Sequence, residues 1–518
     1  MTNHLDLAGP VPRGRILLEA SAGTGKTYAL TALIVRSIAE GLVTVDSVLV
    51  VTFTRSAAGE IRDRIRAGID EAATAIRESP AEVDDWLVPL LAGGDAARAE
   101  RHDRLQSAAV DLDAAVVTTI HGFCRQALLQ MGSQGGLPRD AAVSETASNA
   151  HRQVVRDLLV AALIREPGLL DPDGDETNPG RIEDQISKVV ERALQNRGAS
   201  VVPDPGWPTG DDLPVCAIDW AELARKAVTE VVHRRVTTGR LDHDDLLTIL
   251  HDALHDPVTG PANARSLRTR FPMVFIDEFQ DTDTVQWEIF ERSFLADPDD
   301  LGPPSDLYVV GDPKQAIYRF RGADIEAYLR ASAGADTHFD LTVNRRSDSE
   351  LVEVLNELCQ GATFGDARIR YVEADRSPDA PPNATGLPAV SIRWMPPHPG
   401  LLSGNSVRFV DGDRSKMVVL EDLADEVTRL LSGTTMTVGG KVSPVEPGHI
   451  AVIVRAHADA DAVVATLTGR GIPAVQTRVG SVFESTMAEH LRLLLHGLRR
   501  PSDPHLARAV GLSCLVGH

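Results

Sequence analysis

The stretch 17–27, L-L-E-A-S-A-G-T-G-K-T, constrains this chain more than any other. Residues 16–19 form a short apolar run ending in an acid. Residues 20–27 fit the phosphate-loop pattern G-x-x-x-x-G-K-[ST], with Ala20 in the first glycine's place. Residues 28–40 read as a helix with Leu30, Leu33, Ile34 and Ile38 on one face. Strand, glycine loop and helix is the setting in which that pattern binds phosphate. Gly23 and Gly25 allow a tight turn that aims backbone N–H groups inward, and the helix N-terminus adds positive partial charge. Lys26 is then placed for the β- and γ-phosphates and the Thr27 hydroxyl for Mg²⁺. Ala20, Ser21, Ala22, Gly23, Thr24, Gly25, Lys26 and Thr27 are thus the expected nucleotide cradle, with ATP and Mg²⁺ as the expected cofactors.

A chain of 518 residues has room for roughly three or four domains. Its net charge of -22 argues against a generally basic nucleic-acid binder. Any such contact has to come from local basic patches or from stacking. Cys124, Cys216, Cys359 and Cys514 are far apart and form no C-x-x-C pair, which argues against a zinc site or a disulfide framework. No signal peptide opens the chain, and no apolar run approaches the roughly 20 residues of a membrane span. The expectation is a soluble cytoplasmic protein with no membrane contact.

Four apolar runs, 47–53, 115–120, 271–277 and 307–311, read as buried parallel strands. Helical segments follow them, and loops fall at the strand C-terminal ends. That pattern predicts an α/β fold with a doubly wound parallel sheet. The helix 54–70 places Ala58, Ile61, Ile65 and Ile69 on one side and Arg62 and Arg66 on another, which by itself reads as a solvated face. About 200 mostly helical residues separate 70 from 271, too many for a crossover, and predict an inserted domain. Segments 167–180 and 202–214 are rich in Pro, Gly and Asp and read as loops. Asp242, Asp244 and Asp245 open the helix at 241–250 and read as acids stabilising its N-terminus. Residues 448–455 (G-H-I-A-V-I-V-R) read as a strand before a helix at 458–471, the start of a second α/β unit. Amphipathic helices at 485–500 and 503–512 close the chain. The expected domains are 1–70 with 261–339, an inserted helical 71–260, a second α/β unit at 340–479, and the start of another insertion at 480–518.

Two further motifs carry chemistry. In 274–281, V-F-I-D-E-F-Q-D, an acid ends an apolar strand. Asp277 there is suited to hold Mg²⁺ through water, and Glu278 beside it to accept a proton from attacking water. In 307–324, Gln315 follows a strand and a tight turn, where it can report the γ-phosphate. Tyr318, Arg319, Phe320 and Arg321 interleave aromatics with cations, which suits a single nucleic-acid strand because base stacking is sequence-tolerant.

The ordered set A-S-A-G-T-G-K-T, V-T-F-T-R-S-A-A, T-I-H-G-F-C, D-E-F-Q-D, V-G-D-P-K-Q-A-I-Y-R-F-R-G-A-D and N-R-R-S resembles superfamily 1 helicases of the UvrD/Rep type. The phrasing E-A-S-A-G-T-G-K-T with T-I-H-G-F-C is most similar to RecB-type motors of RecBCD exonucleases. The resemblance implies a P-loop (RecA-like) first domain with a large helical insertion and an incomplete second RecA-like domain. It implies 3′-to-5′ movement along single-stranded DNA driven by ATP, action on duplex DNA ends in double-strand break repair, and RecC- and RecD-like partner subunits. By position it makes Lys26 and Thr27 the ATP and Mg²⁺ ligands and Asp277 and Glu278 the Mg²⁺ acid and catalytic base. Gln315 becomes the γ-phosphate sensor, and Arg346 the arginine that reaches the γ-phosphate from the second motor domain. Phe53, Thr54, Arg62, His121, Tyr318, Phe320 and Arg321 line the single-strand channel.

The chain departs from the pattern in three places. No glutamine stands upstream of Ile16, where the family often reads adenine, and Arg345 stands where the family often has an aromatic. The sequence reaches His518 with no match to the later motifs, so the resemblance implies an N-terminal part of a longer protein. A rival reading is an ATP- and single-strand-binding module without productive turnover, because no second-domain arginine beyond Arg346 is found.

Overall fold

A computed structural model describes residues 3–137, 142–143, 150–165, 179–195, 201–203, 215–295, 302–317, 324–395, 412–476, 483 and 485–516. The chain divides into two units, Met1–Pro382 and Asn383–His518.

In the first unit the strands are β1 (Asn3–His4), β2 (Arg15–Ala20), β3 (Val48–Thr52), β4 (Val116–Thr119), β5 (Met273–Ile276), β6 (Asp306–Gly311) and β7 (Thr337–Leu341), of which β2 to β6 fall on the apolar runs and β1 and β7 do not. They form one sheet in the order β1-β7-β2-β6-β5-β3-β4, and every pairing is parallel. Successive side chains of a strand point to opposite faces, and here both faces are covered. Ile16, Leu18, Val48, Val50, Met273 and Phe275 enter a core roofed by α1 (Lys26–Ala39), α2 (Arg55–Glu78) and the helix Asp95–Val110. Leu17, Leu49, Val51, Val274 and Ile276 enter the opposite core with α3 (Ile120–Met131) and α4 (His243–His255). Burial on both faces is why β3, β5 and β6 read as apolar runs. The expected doubly wound α/β sheet is the observed one.

Not all of residues 71–260 packs away from the sheet. Strand β4 pairs with β3, and α3 and α4 pack on the sheet, so residues 116–131 and 243–255 belong to the main domain. What packs by itself is a three-helix cluster, Ala150–Arg165, Pro179–Gln195 and Val215–Thr238, around Val155, Ile186, Val190, Ala227 and Val231. At its exit the buried Arg235 guanidinium pairs with Asp242 and lies 3.5 Å from Asp245. Asp242 caps α4, and Asp245 returns a bond to the Asp242 N–H. The acids at 242–245 therefore hold a helix start, as their position predicts. The expected loops 167–180 and 202–214 lie largely outside the described residues.

In the second unit Gly412–Gly433 and His457–Gly469 pack through Ala424, Val427, Val463 and Leu467. Thr435–Val438 and Lys441–Pro444 form an antiparallel hairpin. The strand expected at 448–455 is absent: Pro447–His449 is a 3₁₀ turn and 450–455 are irregular. Ile453 is 95% exposed. A parallel strand needs a paired neighbour and two covered faces, and no described residues supply them here. The tail helices are Thr486–Arg499 and Pro504–Gly511.

Candidate nucleotide and nucleic-acid site

Strand β2 ends at Ala20, and α1 starts at Lys26. Between them Gly23 (φ 80°) and Gly25 (φ 89°) are left-handed, a conformation that glycine adopts without steric cost. Thr24 closes the loop through its hydroxyl onto the Ser21 carbonyl at 2.8 Å. Gly25 is the N-cap residue of α1, so no side chain caps that helix, and its first turn carries no acid. Such a helix start offers its N–H groups to an anion.

The end of β5 faces this loop. The Asp277 N–H bonds the Val51 carbonyl of β3 at 2.8 Å, which fixes the carboxyl at the strand ends. Asp277 Oδ1 is buried without a hydrogen-bond partner, and burial, then the neighbouring Glu278 charge, push its pKa up to about 6. An orphaned buried carboxylate oxygen beside a phosphate loop is a group suited to hold a Mg²⁺-bound water. Glu278 has φ 52°, unusual for a non-glycine residue. Its Oε2 accepts from Lys26 Nζ at 2.9 Å and from Gln280 Nε2 at 2.6 Å.

Gln280 is itself buried, and its Oε1 accepts the Asp312 N–H at 3.0 Å. The Asp312 carboxylate holds Gln315 Nε2 at 2.8 Å and Lys314 Nζ at 2.8 Å. Lys314 also lies 3.8 Å from Glu19, whose carboxyl burial pushes upward and to which Tyr328 donates at 3.2 Å. Gln315 thus sits at the end of β6 beside the site, its amide held by Asp312.

The N-R-R-S segment docks on the phosphate loop. Asn344 Nδ2 donates to the Ala22 carbonyl at 3.2 Å, and the Arg345 N–H to the Gly23 carbonyl at 2.9 Å. Asn344 Oδ1 receives the N–H groups of Arg346 and Ser347, each at 2.9 Å. Arg346 is exposed, and its Cβ is 2.9 Å from where a Cβ on Gly23 would stand. The structure therefore brings Lys26, Asp277, Glu278, Gln315 and the Arg346 backbone around one loop.

A cleft of about 740 Å³ opens beside β4. Arg55 and Arg62 of α2, His121 and Arg125 of α3, and His243 of α4 line it. Arg62 Nη2 donates to the Val117 carbonyl at 3.0 Å, which anchors that guanidinium. His121 Nε2 lies 3.7 Å from Asp244 Oδ1, and its ring meets His243 edge-on at 5.3 Å. A Cβ on Gly122 would fall 2.2 Å from Thr118 Oγ1, which accounts for the glycine in T-I-H-G-F-C. Among the other candidates, Phe53 is half-buried at the end of β3. The Thr54 hydroxyl accepts the Ala57 N–H and caps α2. Tyr318, Phe320 and Arg321 lie outside the described residues.

Sequence reasoning gave no role to Gln280, Asp281, Asp312, Arg55, Arg125 or His243. Asp281 was visible as the last acid of D-E-F-Q-D; its Oδ1 is also buried without a partner, and burial with the Glu278 charge pushes it up to about 6. Arg125 directly follows T-I-H-G-F-C, and Arg55 lies within V-T-F-T-R-S. The Gln280–Asp312 contact had no signal, since it joins residues 32 apart.

A parallel sheet with a phosphate loop after the interior strand β2 and two acids at the end of β5, two strands away, defines a P-loop nucleotide-binding domain. The sequence matches the UvrD/REP helicase N-terminal domain over residues 3–336, and the chain belongs to that family. It is similar to the RecBCD enzyme subunit RecB of Mycolicibacterium smegmatis, 35% identical over 520 residues that cover 99% of this chain and 44% of the relative. The RecBCD enzyme subunit RecB of Mycobacterium tuberculosis is 34% identical over 99% of this chain and 45% of its own length. That of Escherichia coli is 28% identical over 98% of this chain and 51% of its own length. The chain thus spans about half the length of the curated relatives it matches. Among the described residues no helix is long and apolar enough to cross a membrane.

Proposed function

We propose that this chain is the ATP-hydrolysing part of a DNA helicase motor that moves 3′ to 5′ along single-stranded DNA. It would act in the cytoplasm at duplex ends, within a RecBCD-like complex that has RecC- and RecD-like subunits. The observation that carries the reading is the convergence of Lys26, Asp277 and Glu278 on one phosphate loop. In this reading residues 20–27 hold the phosphates of ATP through backbone N–H groups, and Lys26 adds a positive charge at their outer end. Asp277 and Thr27 hold the Mg²⁺, which when bound neutralises developing phosphate charge. Glu278 takes the proton of the attacking water. Gln315 senses the γ-phosphate from the end of β6. Arg346, which leaves the docked segment pointing to solvent, supplies transition-state charge as an arginine finger does. The cleft residues Arg62 and His121, together with Phe53, Thr54, Tyr318, Phe320 and Arg321, guide the strand.

The test is ATP hydrolysis by the 518-residue chain with and without single-stranded DNA. Turnover stimulated by DNA, and abolished in Lys26→Ala, supports the reading. ATP and DNA binding without turnover would instead establish a binding module, and retained turnover in Lys26→Ala would reject the phosphate-loop assignment.

A further inference from the structure

Glu278 is held in a strained backbone conformation at φ 52°, and such strain persists only where neighbours enforce it. Two things enforce it here. The turn Phe279–Asp281 folds back with the Asp281 N–H on the Glu278 carbonyl at 3.0 Å, and Phe279 is buried against Trp287 and Tyr328. The carboxylate end is fixed by Gln280, only 3% exposed. That amide works in both directions: Nε2 donates to Glu278 Oε2 at 2.6 Å, and Oε1 receives the Asp312 N–H at 3.0 Å. The fit is close. A Cβ added to Gly311 would lie 2.8 Å from Gln280 Oε1, so the backbone before Asp312 has to be glycine for the amide to reach. Asp312 then holds Gln315 and Lys314. A continuous polar line therefore runs Lys26–Glu278–Gln280–Asp312–Gln315, from the phosphate loop to the segment that leads into 316–324.

The geometry points to Gln280 as a positioning residue that ties the Glu278 carboxylate to the end of β6. A shift of 312–315 is transmitted through one amide to the group that takes the proton, and a shift of Glu278 is returned the same way. A side chain with this connection sets when Glu278 is aligned without touching the nucleotide. The inference rests on Glu278 being the base and adds the residue that orients it.

The test uses the full chain with three substitutions. Gln280→Glu keeps an acceptor for the Asp312 N–H but loses the donor to Glu278, whereas Gln280→Leu loses both bonds at similar size. Glu278→Gln tests the base itself. Both Gln280 variants should bind a fluorescent ATP analogue within about threefold of the unchanged chain while kcat per bound site falls at least about tenfold, part of the about 10²–10⁴ that general-base catalysis supplies. A purely structural role would move binding and the folded fraction instead. A second readout needs no turnover. A non-hydrolysable ATP analogue should slow hydrogen exchange across 307–317 in the unchanged chain, and this protection should be lost in Gln280→Leu. Unchanged kcat in Gln280→Glu, or protection that persists in Gln280→Leu, overturns the inference. Unchanged kcat in Glu278→Gln, or no turnover by the unchanged chain, removes the underlying reading and the inference with it.

Discussion

Lys26 Nζ lies 2.9 Å from Oε2 of Glu278, so the phosphate-loop cation is paired with the carboxylate assigned to take a proton. A γ-phosphate has to compete for that cation. Glu278→Gln removes the negative competitor and leaves Lys26 with the phosphate alone. The pair is partly exposed, and such pairs are worth about 0–1 kcal/mol, so ATP binding should tighten by up to about fivefold. Turnover should fall by about 10²–10⁴, the contribution of a general base. Equilibrium binding of a fluorescent ATP analogue alongside steady-state hydrolysis checks both. Weaker binding with normal turnover rejects the assignment.

Asp277 titrates near 6 because burial and then the Glu278 charge disfavour its ionised form, while Lys26 acts in the opposite sense. Its folded pKa is above the ordinary carboxyl value, so the folded chain holds this proton more tightly than the unfolded chain. Linkage then makes the contribution favourable at low pH and lost as pH rises through about 6. Asp277→Asn removes that titration. Its melting midpoint relative to the unchanged chain, in EDTA and without nucleotide, should be similar at about pH 4 and should rise above it by about pH 7. The gain corresponds to about 1–3 kcal/mol for the buried carboxyl. The same variant should lose Mg²⁺-dependent hydrolysis, because a functional site holds a group that stability alone disfavours. A midpoint difference that stays constant from acid to neutral pH counts against this account.

The parts of the fold that sequence reveals are those where local pattern and tertiary setting agree. Residues 48–52, 273–276 and 306–311 are buried on both faces, so an unbroken apolar run could hardly be anything else. The phosphate loop was legible because its glycines are required by φ, and Gly25 ends the loop where α1 begins. Strand β4 has only four residues, V-V-T-T, after a long helical stretch, and nothing local says that it returns to β3. The limits of the insertion are therefore not legible from local pattern. Residues 451–454, A-V-I-V, carry the same apolar signature as β3 but have no strand beside them among the described residues; their fate depends on pairing, which a single segment does not encode. Gln280 was invisible for the opposite reason. It stands inside D-E-F-Q-D, where the acids draw the attention, and its importance comes from a backbone N–H 32 residues away.

Gly23 is tested by a paired substitution. Its φ of 80° is left-handed, and an added Cβ would stand 2.9 Å from Arg346 Cβ and 3.0 Å from Asn344 Oδ1. Gly23→Ala should cost about 1–3 kcal/mol through backbone strain and push the 344–347 segment off the loop. ATP affinity should fall at least about tenfold, equal to the loss of about 1.4 kcal/mol. Gly59, in the second turn of α2, has nothing within 4 Å of its would-be Cβ. Gly59→Ala should therefore stabilise by about 0.5–1 kcal/mol, the ordinary helix-interior difference. Denaturant unfolding of both variants, with ATP titration of the first, separates a cradle that needs glycine from a helix that tolerates it. Equal unfolding midpoints would falsify the distinction.

The cleft beside β4 makes the last prediction, because its arginines are not equivalent. Arg55 and Arg125 are exposed at its rim, whereas Arg62 also donates to the Val117 carbonyl of β4. If the cleft carries single-stranded DNA, Arg55→Ala and Arg125→Ala should each weaken binding and lower the slope of log affinity against log salt by about 1, without changing stability. Arg62→Ala should weaken binding too, but it also strips a hydrogen bond from the sheet edge and should cost about 1 kcal/mol of stability. The net charge of -22 works against any polyanion at long range, so affinity should be steeply salt-dependent only through these local cations. Fluorescence anisotropy of a labelled oligonucleotide over a salt series, with unfolding curves for the three variants, gives both quantities. Three variants with the unchanged chain's slope would move the strand's path away from this cleft, and contact would then have to come from 318–321.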